Sequence, residues 1–247
     1  FDLCNMNLII DAGNTSVKLA VFKENELLSV QQTALKEFDS TLATFMNQYP
    51  EITDTIVSSV SFEDKDSLGL LNLSGQVIYV DQHLKLPFEN HYGSPESLGA
   101  DRIALAASAV LQYPDKNALI LDAGTCITYD LVTEYKCYLG GAISPGLHMR
   151  YRALHEYTSR LPLLKTTDID ELIGNTTENS IHSGVINGLC REIDGVIGQY
   201  QSLYEHLTVI LTGGDAVFLS KRLKKAIFAH SNFLLEGLNF LLEYNKR

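Results

Sequence analysis

Leu8-Ile9-Ile10-Asp11-Ala12-Gly13-Asn14-Thr15 and Leu119-Ile120-Leu121-Asp122-Ala123-Gly124-Thr125 carry the same pattern. Each is a short apolar run that closes on Asp-Ala-Gly, passes a Thr and enters a second strand-like run, Val17 to Phe22 in the first copy and Ile127 to Val132 in the second. Branched apolar residues ended by a glycine turn read as strand, turn, strand. The copies lie about half a chain apart, so the chain reads as two related domains, 1–112 and 113–247, rather than as a solenoid of many repeats.

Working outward from the first copy, strands are expected at Leu8–Asp11, Ser16–Phe22 and Leu27–Gln32, with Lys23-Glu24-Asn25-Glu26 as a turn. A helix is expected near Glu37–Gln48, then strands at Thr55–Val60 and Val77–Asp81. Residues 83–98 hold Pro87, Gly93 and Pro95 and read as a loop, and Gly99–Leu111, rich in Ala and Leu, reads as a helix. The second half repeats the theme with strands at Ala118–Asp122, Ile127–Val132 and Tyr138–Ile143 and helices near Met149–Tyr157 and Glu178–Glu205. In the long helix Ile181, Val185, Leu189, Ile193, Val196, Tyr200 and Leu203 trace an apolar stripe. Val209–Leu211 is a strand that runs into Thr212-Gly213-Gly214-Asp215 and a further helix. This order predicts an α/β protein with two mixed sheets flanked by helices and a ligand site in the cleft between the domains.

Of 247 residues, 45% are hydrophobic and 20% charged, enough for a full core. No apolar run is long enough to span a membrane, and residues 1–5 lack the basic start and long apolar stretch of a signal peptide. Met6 stands just before the first strand and is the expected natural start. A formal net charge of −11 excludes nonspecific nucleic-acid binding, which needs a basic footprint. A protein of this charge that handles phosphates must gather positive charge locally, from metal ions, a few Lys or Arg, and backbone N–H groups. Cys4, Cys126, Cys137 and Cys190 form no Cys-x-x-Cys pair, and the seven histidines no zinc motif. These read as reduced thiols in a cytoplasmic protein, and the spacing predicts no protein-built transition-metal site.

The Asp-Ala-Gly loops have the parts of a phosphate site. Gly13 lets backbone N–H groups approach an anion, Thr15 and Thr125 add hydroxyl donors, and Lys18 adds a point charge. Asp11 can hold a hydrated divalent ion, since Mg²⁺ prefers a carboxylate or two plus phosphates and water. The bland alternative for one such loop is a plain hairpin; two in matching contexts weigh against it. Neither a Walker A motif nor Gly-x-Gly-x-x-Gly is present. Gly213-Gly214 gives a tight turn that can approach a ring or ribose, against the alternative that Asp215 only caps a helix. Gly99-Ala100-Asp101-Arg102 opens a helix with an adjacent acid and cation, against the alternative of a dipole-favoured Asp with a solvated Arg.

Together these motifs resemble those of the type III pantothenate kinases. Asp11-Ala12-Gly13-Asn14-Thr15-Ser16-Val17-Lys18 is similar to the family's first phosphate motif and Asp122-Ala123-Gly124-Thr125 to the second. Tyr92 with Ser97-Leu98-Gly99-Ala100-Asp101-Arg102 resembles the pantothenate and catalytic segment. Gly140-Gly141-Ala142-Ile143-Ser144-Pro145-Gly146, then Ala153-Leu154 and Leu161-Pro162, follow the central signature; Gly174 to Gly184 with Thr177 inside, and Thr212-Gly213-Gly214-Asp215, complete the order from Met6 to the C-terminus. Cys126, in the second phosphate loop, is a local variation.

The resemblance implies two ribonuclease H-like domains of the actin-like ATPase and sugar-kinase superfamily. It implies phosphorylation of pantothenate to 4'-phosphopantothenate, the first step of coenzyme A biosynthesis, without inhibition by coenzyme A. Asp101 is then the catalytic base. Residues Asp11 to Lys18 and Thr125 serve ATP, with Mg²⁺ on Asp11 through water. Tyr92, Gly99, Ala100, Asp101, Arg102 and Thr177 hold pantothenate, and Gly213 and Gly214 lie on the adenosine side. Asp122 binds a monovalent cation, K⁺ or NH₄⁺, and the family's homodimer completes the active site. The charge run Lys221-Arg222-x-Lys224-Lys225 reads as the solvated face of a short helix, and Gly184, Gly188 and Gly195 as a surface for close helix packing. Two rivals stay open: a relative acting on a sugar or polyphosphate, and a non-catalytic nucleotide-binding regulator.

Overall fold

The structure is a computed structural model that describes residues 6–13, 16–59, 75–225 and 228–246. Asn14, Thr15 and Val60 lie outside the described residues. The chain divides into two compact units, Phe1–Pro114 with Lys136–Tyr138 and Asn232–Arg247, and Asp115–Tyr135 with Leu139–Ser231.

In the first unit β1 (Met6–Ala12) turns into β2 (Val17–Lys23), and β3 (Glu26–Thr33), β4 (Ile52–Ser59) and β5 (Gln76–Tyr79) complete a sheet of order β3-β2-β1-β4-β5 among the described residues. β1 is central because Leu8, Ile9 and Ile10 are all fully buried, which needs cover on both faces. β3 is an edge strand that runs through the exposed Gln31 and Gln32 to the buried Thr33. β1 pairs antiparallel with β2 and parallel with β4; α1 (Phe38–Gln48) makes the crossover and buries Phe38, Leu42 and Phe45.

The second sheet repeats that order: β7 (Ala118–Ala123), β8 (Cys126–Val132), β9 (Cys137–Pro145), β10 (Thr208–Thr212) and β11 (Phe228–Ala229) lie as β9-β8-β7-β10-β11. β7 pairs antiparallel with β8 and parallel with β10, as β1 does with β2 and β4. The echo in sequence is therefore an echo in topology. A short β6 (Glu89–Asn90) adds to the start of β9, inside the expected loop 83–98. The second core gathers β7, β8 and β10 with α3 (Leu147–Glu156), α4 (Thr177–His182), α5 (Gly188–Leu203) and α6 (Ala216–Ser220).

Three expectations change. The expected division at 112/113 left the chain's end in the second domain, whereas α7 (Phe233–Asn245) clusters with the first unit. It packs on α2 (Ala100–Gln112) so closely that a Cβ on Gly237 would lie 1.9 Å from the Ala104 carbonyl oxygen. Buried polar groups also tie it down: the Asn7 amide donates to Asn239 Oδ1 at 2.7 Å, and Asn239 donates to the Glu24 carbonyl at 2.7 Å. The helix expected over 178–205 is interrupted by a π-helical turn at Ser183–Asn187, where Ser183 donates to the Leu172 carbonyl and Asn187 to the Glu171 carbonyl. Of its stripe, Leu203 in the last turn is 75% exposed, and Ile197 takes the buried place. The charge run 221–225 lies beyond α6: Arg222 stacks on Phe218 and pairs with Asp168, and the Lys224 and Lys225 N–H groups donate to Asp194. A Cβ added at Gly184, Gly188 or Gly195 would meet nothing within 4 Å, so these positions are open on their Cβ side.

Candidate active site

The two hairpins place their aspartates at matching lattice points. Asp11 lies opposite Lys18 on β2 and Ser58 on β4; Asp122 lies opposite Thr128 on β8 and Thr212 on β10. The turns are closed by Gly13 N–H donating to the Ser16 carbonyl at 3.1 Å and Gly124 N–H to the Cys126 carbonyl at 2.9 Å. One difference stands out. The first aspartate has a cation across the ladder, and the second has two neutral hydroxyls.

Burial raises the Asp11 pKa from 3.8 to about 6; Lys18 pulls it down, Asp101 pushes it further up, and Ser58 lowers it slightly. The buried Ser58 hydroxyl nonetheless makes no hydrogen bond of ordinary geometry, so its effect on Asp11 is that of a nearby dipole. Asp11 and Asp101 thus share one neighbourhood, at the end of β1 and in the first turn of α2, where a divalent cation would relieve both carboxylates.

At the start of α2 the Asp101 carboxylate folds back and accepts the Arg102 N–H at 2.8 Å. A Cβ on Gly99 would lie 2.4 Å from Asp101 Oδ1, so glycine at the N-cap leaves this carboxylate its position. Arg102 is not the solvated residue of the bland alternative. It is only 6% exposed, and its guanidinium lies 5.3 Å from the Tyr92 ring centroid and 5.9 Å from that of Tyr138. Its Nη1 donates weakly to the Tyr92 hydroxyl at 3.5 Å. A cavity of about 630 Å³ in this unit is lined by Ser59, His83, Gly99 and Ala100, beside the same helix start.

In the second unit two turns converge on the second hairpin. A Cβ on Gly213, whose φ is +93°, would lie 2.3 Å from Asp122 Oδ1, and Asp215 N–H donates to the Ala123 carbonyl at 2.9 Å. A Cβ on Gly146 would lie 2.2 Å from the Gly124 carbonyl oxygen, and its N–H donates to Thr125 at 3.2 Å. Asp215 makes no side-chain cap to α6; it lies 3.6 Å from His148 Nε2, its pKa raised by burial and lowered by His148. Gly214 is open on its Cβ side, and Thr125 is exposed. Thr177 follows the N-cap Thr176 and lines an open groove of about 1140 Å³ with Arg150, Leu154, Tyr157 and Leu161.

Residues 7–199 match the family model described as type III pantothenate kinase. The chain belongs to the type III pantothenate kinase family. A curated type III pantothenate kinase of Christiangramia forsetii is 53% identical over 241 residues, covering 98% of this chain and 99% of that one. Among solved structures, a protein described as a conserved putative Baf family transcriptional activator from Campylobacter jejuni superposes with a TM-score of 0.63 at 20% identity, covering 96% of this chain and 98% of its own. A glucokinase from an Antarctic psychrotroph superposes with a TM-score of 0.53 at 12% identity over 97% and 99% of the two chains. At these identities the structures show the fold alone.

The structure brings together more of this type III pantothenate kinase than the motifs named. Ser58 was missed and Thr212 was read only as the start of a glycine turn, although both close an apolar strand run and could have been placed by extending the echo to the strand beside each aspartate. Thr128 is marked by its buried hydroxyl without a hydrogen-bond partner. Tyr138 and His148 carry no sequence signal, since only strand and turn packing brings them to Arg102 and Asp215. Arg150 donates to Glu192 at 2.7 Å, to Ser144 Oγ at 2.9 Å and to the Pro145 carbonyl at 2.9 Å, which fixes the turn carrying Gly146.

Proposed function

We propose that this type III pantothenate kinase transfers the γ-phosphate of ATP to the primary hydroxyl of pantothenate, the first step of coenzyme A biosynthesis. The observation that carries the site assignment is the start of α2: Asp101 beside the partly buried Asp11, with Arg102 held against Tyr92. An alcohol is a poor nucleophile. As its oxygen bonds to the transferring phosphorus, its proton must leave, and Asp101 accepts it. The transition state of such transfers is loose, so most of the catalysis is positioning and charge neutralisation. Arg102, Tyr92, Gly99, Ala100 and Thr177 hold the acceptor, the guanidinium pairing with its carboxylate. Asp11 to Lys18 and Thr125 hold the phosphates, and Gly213 and Gly214 the adenosine side.

Mg²⁺, when bound, neutralises charge on the phosphates, and Asp11 would hold it through water. The fit rests on the raised Asp11 pKa beside a second carboxylate. A monovalent cation, K⁺ or NH₄⁺, fits beside Asp122: the position that holds Lys18 in the first hairpin holds Thr128 in the second, with a buried hydroxyl that makes no hydrogen bond.

The enzyme acts in the cytoplasm as a homodimer. Tyr157, Leu172 and Ile173 are each more than 70% exposed, and the glycine face of 184–195 is bare, as a surface awaiting a second copy would be. The test is ADP release coupled to a readout, with and without pantothenate. Release that requires pantothenate supports the reading. Release driven equally by sugars, or none with any acceptor, sinks it.

A further inference from the structure

β6 and the start of β9 have two faces of different character. On one, Phe88 and Tyr92 pack against Tyr138, and Arg102 lies over the last two rings. On the other, Glu89 and Cys137 are direct partners in the parallel ladder, and His91 follows Glu89 by two residues and so projects to the same side. His91 Nε2 lies 3.1 Å from Glu89 Oε2, Cys137 Sγ lies 3.9 Å from that oxygen, and the three ligand atoms are all within 4.8 Å of one another. Tetrahedral zinc with one sulfur, one nitrogen and one oxygen ligand sets its donors roughly 3.3–3.7 Å apart. The backbone is already held: Glu89 N–H donates to the Lys136 carbonyl and His91 N–H to the Tyr138 carbonyl, both at 2.9 Å.

We propose that Glu89, His91 and Cys137 form a binding site for a divalent transition metal of the zinc class, on the outward face of the β6–β9 pair. Thiolate, imidazole and carboxylate together suit zinc and disfavour Mg²⁺, which takes oxygen ligands. Glu89 is 76% and His91 51% exposed, so the metal enters from solvent and keeps a water in its fourth position. Binding releases the Cys137 thiol proton to solvent and ties a two-residue strand to its neighbour. The pair carries Tyr92 and Tyr138 on its other face, so the metal would stiffen the bed under Arg102. The sequence spacing predicts no such site because its ligands meet through strand register rather than through a contiguous motif.

Cobalt(II) serves as the probe, because a thiolate ligand gives a charge-transfer band that imidazole and carboxylate alone do not. The whole protein, titrated with Co²⁺ under a reductant that is not itself a thiol, should show one saturable equivalent with that band, bleached by Zn²⁺. Cys137→Ser should abolish the band, Cys126→Ser should leave it, and His91→Ala should weaken binding by at least about tenfold. A second measurement needs no variant: Zn²⁺ should slow alkylation of Cys137 in the wild-type protein, read by peptide mass. No saturable thiolate band, a band that survives Cys137→Ser, or an alkylation rate indifferent to Zn²⁺ would each overturn the proposal.

Discussion

Asp11, at the end of β1, and Asp101, in the first turn of α2, are coupled: burial lifts the Asp11 pKa to about 6, and the charge of Asp101 adds to the rise against the pull of Lys18. A partly buried, desolvated carboxylate beside another carboxylate is a poor way to stabilise a fold. It is a good way to attract a cation.

The coupling has a measurable cost. The folded Asp11 holds its proton more tightly than the unfolded chain does at 3.8. The folded state therefore pays nothing below about pH 4, loses stability as pH rises from 4 to 6, and carries the full penalty above 6. Two pKa units correspond to about 3 kcal/mol. Asp11→Asn should raise urea-unfolding stability at pH 8 by up to that amount, with the gain vanishing near pH 4. The same variant should lose its stabilisation by Mg²⁺ and ATP. A gain that is equal at both pH values would show that the carboxylate is not the source.

Asp101→Asn keeps the helix start, since the amide oxygen can still accept the Arg102 N–H. It removes the proton acceptor, and general-base catalysis is worth about 10²–10⁴-fold. kcat should fall by that order with an unchanged melting temperature. Near-normal kcat in a stable sample would refute the base, and Asp11 would be the next candidate.

Arg102→Lys keeps the charge but loses the planar guanidinium that lies against Tyr92 and Tyr138. Its effect should appear mainly as a raised pantothenate KM, the mark of lost uniform binding, with the KM for ATP unchanged. A fall in kcat alone would place Arg102 in the chemical step instead.

The second hairpin makes a prediction about salts. Activity should be higher in K⁺ or NH₄⁺ than in Na⁺ at matched ionic strength. Thr128→Val removes a buried hydroxyl that makes no hydrogen bond, so it should not destabilise the fold. It should blunt the preference for K⁺. Equal rates of the wild type in all three salts would remove the cation from the Asp122 site.

Gly188 opens α5 with nothing within 4 Å of its missing Cβ. In a monomer Gly188→Leu would stabilise the helix by somewhat under about 1 kcal/mol. If a second copy packs on that face, the variant should instead shift light scattering from twice the chain mass to once, with its helical circular dichroism retained. A wild-type monomer with full activity would end the dimer proposal.

The twin Asp-Ala-Gly hairpins could be read directly, because a turn and its two flanking strands are contiguous and their geometry is set by neighbouring residues. Asp11, Lys18, Gly99, Asp101 and Asp122 all stand at or beside such local signals, at strand ends and a helix start. α2 was legible for the same reason: its Ala-rich run follows a glycine that fits the N-cap. The expected long helix over 178–205 runs from Thr177 to Leu203 and departs from α geometry only at Ser183–Asn187, where side chains bond the carbonyls of residues 171 and 172.

The amino-acid sequence by itself determined the duplication, the two hairpin turns and the chemistry at their ends, all of which depend on residues close along the chain. Only the tertiary structure decided that Ser58 and Thr212 stand beside the paired aspartates, that α7 returns to the first unit through Asn7 and Asn239, and that Cys137 meets Glu89 and His91. Each of these is a register or packing choice between distant segments. Such choices are made by the buried area and hydrogen bonds of the whole assembly, and no local spacing records them.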